Sequence, residues 1–153
     1  MKTALKNCFI FTVNSKNKVF KKGTVLFESG TIKYVGCSDE VQIPPDANVI
    51  DGKERMAVLP GLIDTHSHSS LLKGYSENLN LLDWLPVYQR EHQVLTEEDA
   101  YWAAKVSYLE ALKGGTTTVL DMYRYMHRCA EAASNLGMRA HLAPYVADNK
   151  DKT

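Results

Sequence analysis

Residues 60–74 read PGLIDTHSHSSLLKG, and this stretch decides how the rest of the chain is interpreted. A Pro-Gly pair opens an apolar run, and two histidines one residue apart follow it. Alternate side chains of a strand point to the same face, so we expect Asp64, His66 and His68 to share one face. Two imidazoles at one strand end can supply two nitrogen ligands to one metal ion. The alternative is a pair of ordinary histidines, since a chain of 153 residues with five histidines can produce this spacing by chance.

The sequence before residue 55 is typical of short β-strands. Residues 18–36, KVFKKGTVLFESGTIKYVG, alternate apolar and other side chains around a Glu28-Ser29-Gly30 turn. This pattern predicts a β-hairpin. A proline-rich turn then leads into a short predicted strand at Ala47–Ile50.

After residue 55 the pattern alternates between strands and helices. The apolar run Met56–Thr65 is typical of a strand buried on both faces. The elements predicted after it are a helix at Leu79–Arg90 broken near Pro86, a helix from Thr96 to Lys113 stopped by Gly114-Gly115, a strand at Thr116–Met122, a helix at Arg124–Leu136, a strand at Met138–Ala147, and a polar tail over residues 148–153. Such alternation predicts right-handed crossovers and a parallel sheet, hence an α/β fold.

Composition narrows the class of protein. Lys+Arg and Asp+Glu are equal at 18 each, without a basic stripe, so neither nucleic acid nor a charged membrane is an expected partner. No stretch approaches the 18 or so apolar residues of a transmembrane helix, and the apolar run at Cys8–Val13 is too short for a signal peptide. Cys8, Cys37 and Cys129 are widely spaced, which indicates reduced thiols and a cytoplasmic location.

Three segments carry a family resemblance. VLPGLIDTHSH, residues 58–68, resembles the first barrel strand of the amidohydrolase superfamily. NLNLLDWL (residues 78–85) and GGTTTVLDMY (residues 114–123) are similar to its aminohydrolase and chlorohydrolase branch, which holds adenosine-type and S-adenosylhomocysteine deaminases, guanine deaminase and s-triazine hydrolases. The resemblance implies that residues 1–55 are the N-terminal half of a small β-sandwich. Residues 56–153 would be the first three βα units of a (β/α)8 barrel, incomplete in this chain.

The resemblance also implies a chemistry. The family binds one divalent metal ion, usually zinc and sometimes iron, and His66 and His68 match its first pair of ligands. The implied reaction is hydrolysis of a C–N or C–halide bond on a heteroaromatic ring, such as deamination of a purine or triazine by metal-activated water. The implied partners are that small heteroaromatic substrate and, for the full-length enzyme, further copies of the same chain.

Two residues between Leu79 and Val94 match positions that touch substrate in relatives of the family. Trp84 matches a pocket-lining tryptophan, although it could equally pack a short helix against the barrel mouth. His92 falls where relatives acting on nucleosides carry a ribose-binding acid, which weakens an adenosine-type assignment. Glu91-His92 instead resembles guanine deaminase.

Length sets a limit on what the chain can do alone. A (β/α)8 barrel needs about 250 residues, whereas this sequence offers three barrel strands. A catalytic zinc site generally has three protein ligands and a water. His127, on a predicted solvated helix face, and His141, near the start of its strand, are poor third ligands. We therefore expect the N-terminal third of an enzyme, inactive alone, whose general acid and remaining ligands lie beyond residue 153.

Other residues of the predicted barrel region are interpreted as structural. Asp121 ends the second strand, and a role as helix cap or salt-bridge partner is favoured over chemistry. Asp64 is expected to accept a hydrogen bond from the side chain of a metal ligand or in the barrel core. The helically spaced apolar residues after Thr96 are expected to pack on the sheet. They are Trp102, Val106 and Leu109, and likewise Tyr101, Tyr108 and Leu112.

Alternatives from other classes remain open. A non-catalytic truncated isoform or fragment would expose strand edges that favour association. Cyclic-amide hydrolases and deacetylases of the same superfamily share the PGLIDTHSH segment. A lactamase-fold metallohydrolase is disfavoured, because its HxHxDH motif requires an Asp-His that does not follow His68 here.

Overall fold

A computed structural model describes residues 1–71, 73–74 and 76–146. The chain is a mixed α/β protein, as predicted, and it divides into two compact units. The first comprises residues 1–60, and the second begins at Gly61. This boundary lies five residues after residue 55, where the sequence pattern changes from short β-strands to alternating strands and helices.

The first unit is a five-stranded sheet. Its strands are β1 (Lys2–Phe11), β2 (Val19–Glu28), β3 (Thr31–Cys37), β4 (Asn48–Asp51) and β5 (Ala57–Val58), with a short 3-10 turn at Ser38–Glu40. The order is β3-β2-β1-β4, and β5 also pairs with β1. β1, β2 and β3 are antiparallel neighbours, whereas β4 and β5 run parallel to β1. The buried core comprises Cys8, Ile10, Phe20 and Val25.

The predicted hairpin is confirmed as β2 and β3. Ser29 and Gly30 connect the two strands with φ angles of 48° and 78°. Two consecutive positive φ angles match the twist of a hairpin, and glycine adopts this backbone region without a steric penalty. The predicted strand at Ala47–Ile50 is β4, displaced by one residue.

The second unit is a parallel sheet with helices in its connections. Its elements are β6 (Leu62–Ser67), α1 (Leu81–Val94), α2 (Glu97–Lys113), β7 (Thr116–Tyr123), α3 (Met126–Leu136) and β8 (Arg139–Pro144). The strand order is β6-β7-β8 and both pairings are parallel, so the predicted parallel sheet is confirmed. The last strand was predicted too long, because β8 ends at Pro144 and Tyr145 and Val146 are not in a strand. Ala147 and the predicted polar tail at residues 148–153 lie outside the described residues.

Local signals fix the limits of α2. Thr96 Oγ1 accepts the amide N–H of Asp99 at 3.2 Å, and the Asp99 carboxylate accepts the amide N–H of Thr96 at 3.0 Å. This reciprocal capping box satisfies two amides that otherwise have no partner within the helix. The helix ends at Lys113 before Gly114, as predicted.

The predicted break in the first helix is wrong. α1 continues through Pro86 to Val94. Proline removes one backbone donor, so the carbonyl one turn earlier loses its partner. The rest of the helix retains its bonds, and the Asn80 side chain caps the start by accepting the amides of Leu82 and Asp83, each at 3.1 Å. One missing bond is therefore tolerated here.

The predicted strand buried on both faces is also wrong. The run Met56–Thr65 divides into β5 and β6, which belong to different sheets. Leu62 and Ile63 are 58% and 66% exposed, and since consecutive side chains of a strand point to opposite faces, neither face of β6 is covered at these two positions. The apolar composition of the run is therefore not matched by burial within the described residues.

The core of the second unit lies between α2, α3 and β7. Tyr101 and Tyr108 on α2 are buried in it, and Leu112 packs against it. The other predicted packing stripe on α2 is half exposed: Trp102 54%, Val106 51% and Leu109 49%. One apolar face of α2 covers the sheet and the other faces outward, which corrects the prediction for that stripe.

Two other expectations can be compared with the structure. The three cysteines are free thiols. Over the described ranges, no helix combines the length and apolar character needed to cross a bilayer.

Candidate functional site

His66 and His68 lie side by side at the carboxyl end of β6. Their ring centroids are 4.8 Å apart and the ring planes meet at 81°. His66 is exposed and His68 is half-buried. Asp64 Oδ1 accepts the amide N–H of His66 at 3.0 Å, a local bond within the same strand and not the predicted bond to the side chain of a metal ligand or in the barrel core. The carboxyl ends of parallel strands are where α/β proteins assemble their sites.

The His68 ring is held in one orientation by the neighbouring strand. Its Nδ1 lies 2.6 Å from the backbone carbonyl oxygen of Met122 in β7. A carbonyl oxygen only accepts, so Nδ1 carries a proton, and in the neutral ring it is then Nε2 that has the lone pair. This is the tautomer that a metal ligand coordinating through Nε2 requires.

The donor set therefore fits two positions of a metal site. Across the part of the chain that the structure describes, no group of three or more His, Cys, Asp and Glu side chains is arranged to hold a metal ion. His127 is exposed on α3, with Nε2 3.3 Å from Glu97 Oε2. His141 is exposed in β8 and pairs with Leu120.

Asp121 has a different structural role from the one predicted. Its carboxylate is fully buried at the end of β7, and it accepts the amide N–H of Ser69 at 3.0 Å. It also accepts the Ser69 hydroxyl, and the Tyr108 hydroxyl at 2.5 Å. These partners replace the predicted helix end or cation. Burial, followed by the bond to this carboxylate, raises the pKa of Tyr108 well above its ordinary value.

An aromatic cluster lies beside the histidine pair. It comprises Trp84, Tyr88 and His92 on α1, Tyr123 on β7, and Tyr145 after β8. Ring centroids are 4.8 Å apart for Trp84 and Tyr88, and 5.5 Å apart for Tyr88 and Tyr123. The Tyr123 ring is in turn 6.0 Å from His68. The two predicted substrate residues, Trp84 and His92, therefore belong to one group of rings that reaches His68.

Sequence reasoning missed Tyr88, Tyr123 and Tyr145 in this cluster. Trp84, Tyr88 and His92 are four residues apart along α1, so they share one helix face. That spacing could have identified Tyr88. Tyr123 directly follows the predicted strand Thr116–Met122, and that position could have identified it.

His92 is held in place from two sides. Its Nδ1 lies 3.3 Å from the Tyr123 hydroxyl, and Arg124 donates to its backbone carbonyl at 2.5 Å. Burial first, and the Arg124 charge second, lower the pKa of His92 below its ordinary value. His92 therefore presents a neutral ring near neutral pH. Trp84 is anchored by its Nε1, which donates to Ser76 Oγ at 2.9 Å.

The chain is similar to known proteins over most of its length. A model of the amidohydrolase family matches residues 57–153, more than half of the chain. A 5-methylthioadenosine/S-adenosylhomocysteine deaminase of Halothermothrix orenii is 36% identical over 158 residues, covering 99% of this chain and 36% of that protein. A 5'-deoxyadenosine deaminase of Methanosarcina mazei is 35% identical over 143 residues, covering 91% and 32%.

A solved structure shares the fold. The atrazine chlorohydrolase of Arthrobacter aurescens TC1, complexed with zinc, has a TM-score of 0.78 and 24% identity. The match covers 93% of this chain and 35% of that one. The chain thus spans about a third of the length of the relatives it matches.

Proposed function

The chain belongs to the amidohydrolase family, and from that premise we propose that it forms the first part of a metal-dependent hydrolase acting on a C–N or C–halide bond of a heteroaromatic ring. The two curated relatives described above are named as deaminases of adenosine-type nucleosides. The C–N bond between a purine ring and its amino group is therefore the first bond to test. The chlorohydrolase with the shared fold supports the wider class that includes halide displacement.

The observation that carries the proposal is the histidine pair at the end of β6. His66 and His68 would hold one divalent metal ion, with the Met122 carbonyl orienting His68 so that Nε2 faces the ion. Zinc is the proposed metal, because the chlorohydrolase is described with zinc, and iron is the alternative. When bound, the ion supplies Lewis-acid activation of water near neutral pH.

The aromatic cluster would bind the flat ring of the substrate. Trp84 and His92 are the proposed substrate residues, with Tyr88 between them on the same face of α1. Aromatic faces bind a planar ring by stacking and exclude water from it. A neutral His92 can hydrogen-bond a substrate without placing a second positive charge in the pocket.

The remaining parts of the proposal concern the whole protein. Residues 1–55 would form half of a β-sandwich, and residues 56–153 the first three βα units of a (β/α)8 barrel. The third ligand, the general acid and the late aspartate would come from sequence after residue 153, so this chain alone would be inactive. The complete enzyme is proposed to be a cytoplasmic homo-oligomer that binds the metal ion and a small heteroaromatic substrate.

Zinc titration by calorimetry on the 153-residue chain tests the metal site. We expect weak binding, with a dissociation constant above about 1 μM, because two histidines leave the usual set of ligands incomplete. His68→Ala should abolish it. His127→Ala is the matched control, because it removes an exposed histidine that contacts Glu97 on α2, and it should leave zinc binding unchanged.

Two results would contradict the proposal. Equal binding by wild type and His68→Ala would exclude the pair as the ligands. Submicromolar stoichiometric binding would contradict an incomplete site. The decisive assay for the reaction uses the longer protein that includes the sequence after Thr153, and it measures ammonia release from adenosine-type and guanine substrates. If that protein turned over neither purines nor triazines, the proposed substrate class would be excluded.

A further inference from the structure

We propose that Asp121 is a positioning residue for the histidine pair: its buried carboxylate holds the segment after β6 against β7, so that the His68 ring reaches the Met122 carbonyl and presents Nε2 outward. The proposal rests on the proposed function only in assigning a metal to Nε2. The positioning itself depends on contacts within this chain.

Three consecutive residues of the segment after β6 are tied to the carboxyl end of β7. His68 Nδ1 donates to the Met122 carbonyl at 2.6 Å. Ser69 donates its amide to Asp121 at 3.0 Å. Ser70 Oγ donates to the Arg124 carbonyl, which completes a run of bonds along one strand end.

Of these three contacts, the one between Ser69 and Asp121 is shielded from water. Asp121 is 0% exposed and Ser69 is 1% exposed. A carboxylate buried away from water is costly unless hydrogen bonds satisfy its oxygens, and bonds to such a group are stronger than neutral ones. If the segment moved, Asp121 would lose both Ser69 donors at once, so the carboxylate penalises any departure from the observed position.

Tyr108 offers a built-in comparison within the same network. It donates to the same carboxylate from α2, at 2.5 Å, and it is equally buried. The bond from Tyr108 to Asp121 joins α2 to β7, and the Tyr108 hydroxyl also interacts with the Ser69 side chain. The bond from the Ser69 amide to Asp121, which joins the segment after β6 to β7, does not involve Tyr108. Loss of the Tyr108 bond should therefore cost stability without changing how His68 is presented, whereas loss of the Asp121–Ser69 bonds should change both.

The test compares Asp121→Ala, Asp121→Asn and Tyr108→Phe in the 153-residue chain, with a thermal melt for each. Long-range 1H–15N NMR at a pH of about 8 reports the His68 tautomer, without metal. Zinc calorimetry reports affinity. For Asp121→Ala we expect a mixture of His68 tautomers and roughly tenfold weaker zinc binding, the usual effect of losing an outer partner of a ligand. Asp121→Asn keeps an oxygen for the Ser69 amide and should recover most of both signals.

Tyr108→Phe should lower the melting temperature and leave tautomer and affinity as in wild type. If folded Asp121→Ala keeps the single Nδ1–H tautomer, or if Tyr108→Phe changes both readouts as much as Asp121→Ala does, the proposal is wrong. If Asp121→Ala does not fold, Ser69→Ala takes its place in the comparison with Tyr108→Phe. Identical His68 spectra in those two variants would overturn the proposal. Failure of zinc binding in wild type would refute the proposed function instead, because the tautomer is read without metal.

Discussion

Gly61, in the PGLIDTHSH segment, is predicted to tolerate no side chain, for a steric reason. A Cβ built on Gly61 would lie 2.1 Å from Thr117 Oγ1, 2.4 Å from its Cγ2 and 2.8 Å from its Cβ. Rotation of the threonine cannot relieve the last contact. Gly61→Ala should therefore force β6 and β7 apart. Overpacking of this kind costs about 1–3 kcal/mol, which corresponds to roughly 4–24 °C in the melting temperature of a small domain.

Tryptophan fluorescence during thermal or urea unfolding measures this change. Trp84 and Trp102 both lie in the second unit, as Gly61 does, so the signal reports on the unit that is altered. Gly114→Ala is the matched control, because its Cβ would meet only the carbonyls of Ala111 and Glu110 at 3.4 and 3.5 Å. That variant should melt at the wild-type temperature or slightly above it.

A second substitution tests the named contact. Thr117→Ala removes the two atoms nearest to the new Cβ, so Gly61→Ala should be less destabilising in that background. A Gly61→Ala variant that melts like wild type would refute the steric argument. Destabilisation that is identical with and without Thr117→Ala would also refute it.

Three further predictions concern capping, protonation and thiol reactivity. Thr96→Ala removes the capping box of α2 and should cost about 1 kcal/mol in urea unfolding, whereas Thr96→Ser should not. The pKa of His92 is lowered in the folded chain, so stability should fall as pH drops below the unfolded value of about 6.5, and His92→Gln should flatten that fall. Burial raises the pKa of Cys129 to about 11, so in the native chain a thiol reagent should modify the half-exposed Cys37 and spare Cys129 until unfolding.

Elements with strong local signals were predictable from the sequence. The limits of α2 follow from Thr96, Asp99 and Gly114, all within one turn of its ends. The β2–β3 hairpin follows from Ser29 and Gly30 in the same way. Each signal acts through neighbouring backbone groups, so it needs no knowledge of the rest of the fold.

Features that depend on tertiary context were not predictable in this way. Pro86 costs α1 one hydrogen bond, and whether a helix survives that loss depends on its packing and on the cap at Asn80. The exposure of Ile63 depends on what packs against the faces of β6, which an apolar run does not specify. Spacing identified the two faces of α2 but could not indicate that Trp102 faces outward.

The candidate site also combines features set by local sequence with features set by tertiary contacts. The histidine pair was recognisable because two residues of one strand carry it. The partners of this segment are distant in sequence: Met122 is 54 residues from His68, and Asp121 is 52 residues from Ser69. Those contacts require the register that places Ser67 opposite Asp121, and register cannot be read from composition.

The bond from His68 to Met122 has a consequence for how sequence change affects the site. The acceptor is a main-chain carbonyl, so the identity of the side chain at position 122 carries none of the information that orients the ring. Substitutions at 122 that preserve the strand can therefore accumulate without disturbing His68. A survey of such variants would find that the orientation of His68 does not depend on the side chain at position 122, although the carbonyl that accepts its hydrogen bond belongs to that residue.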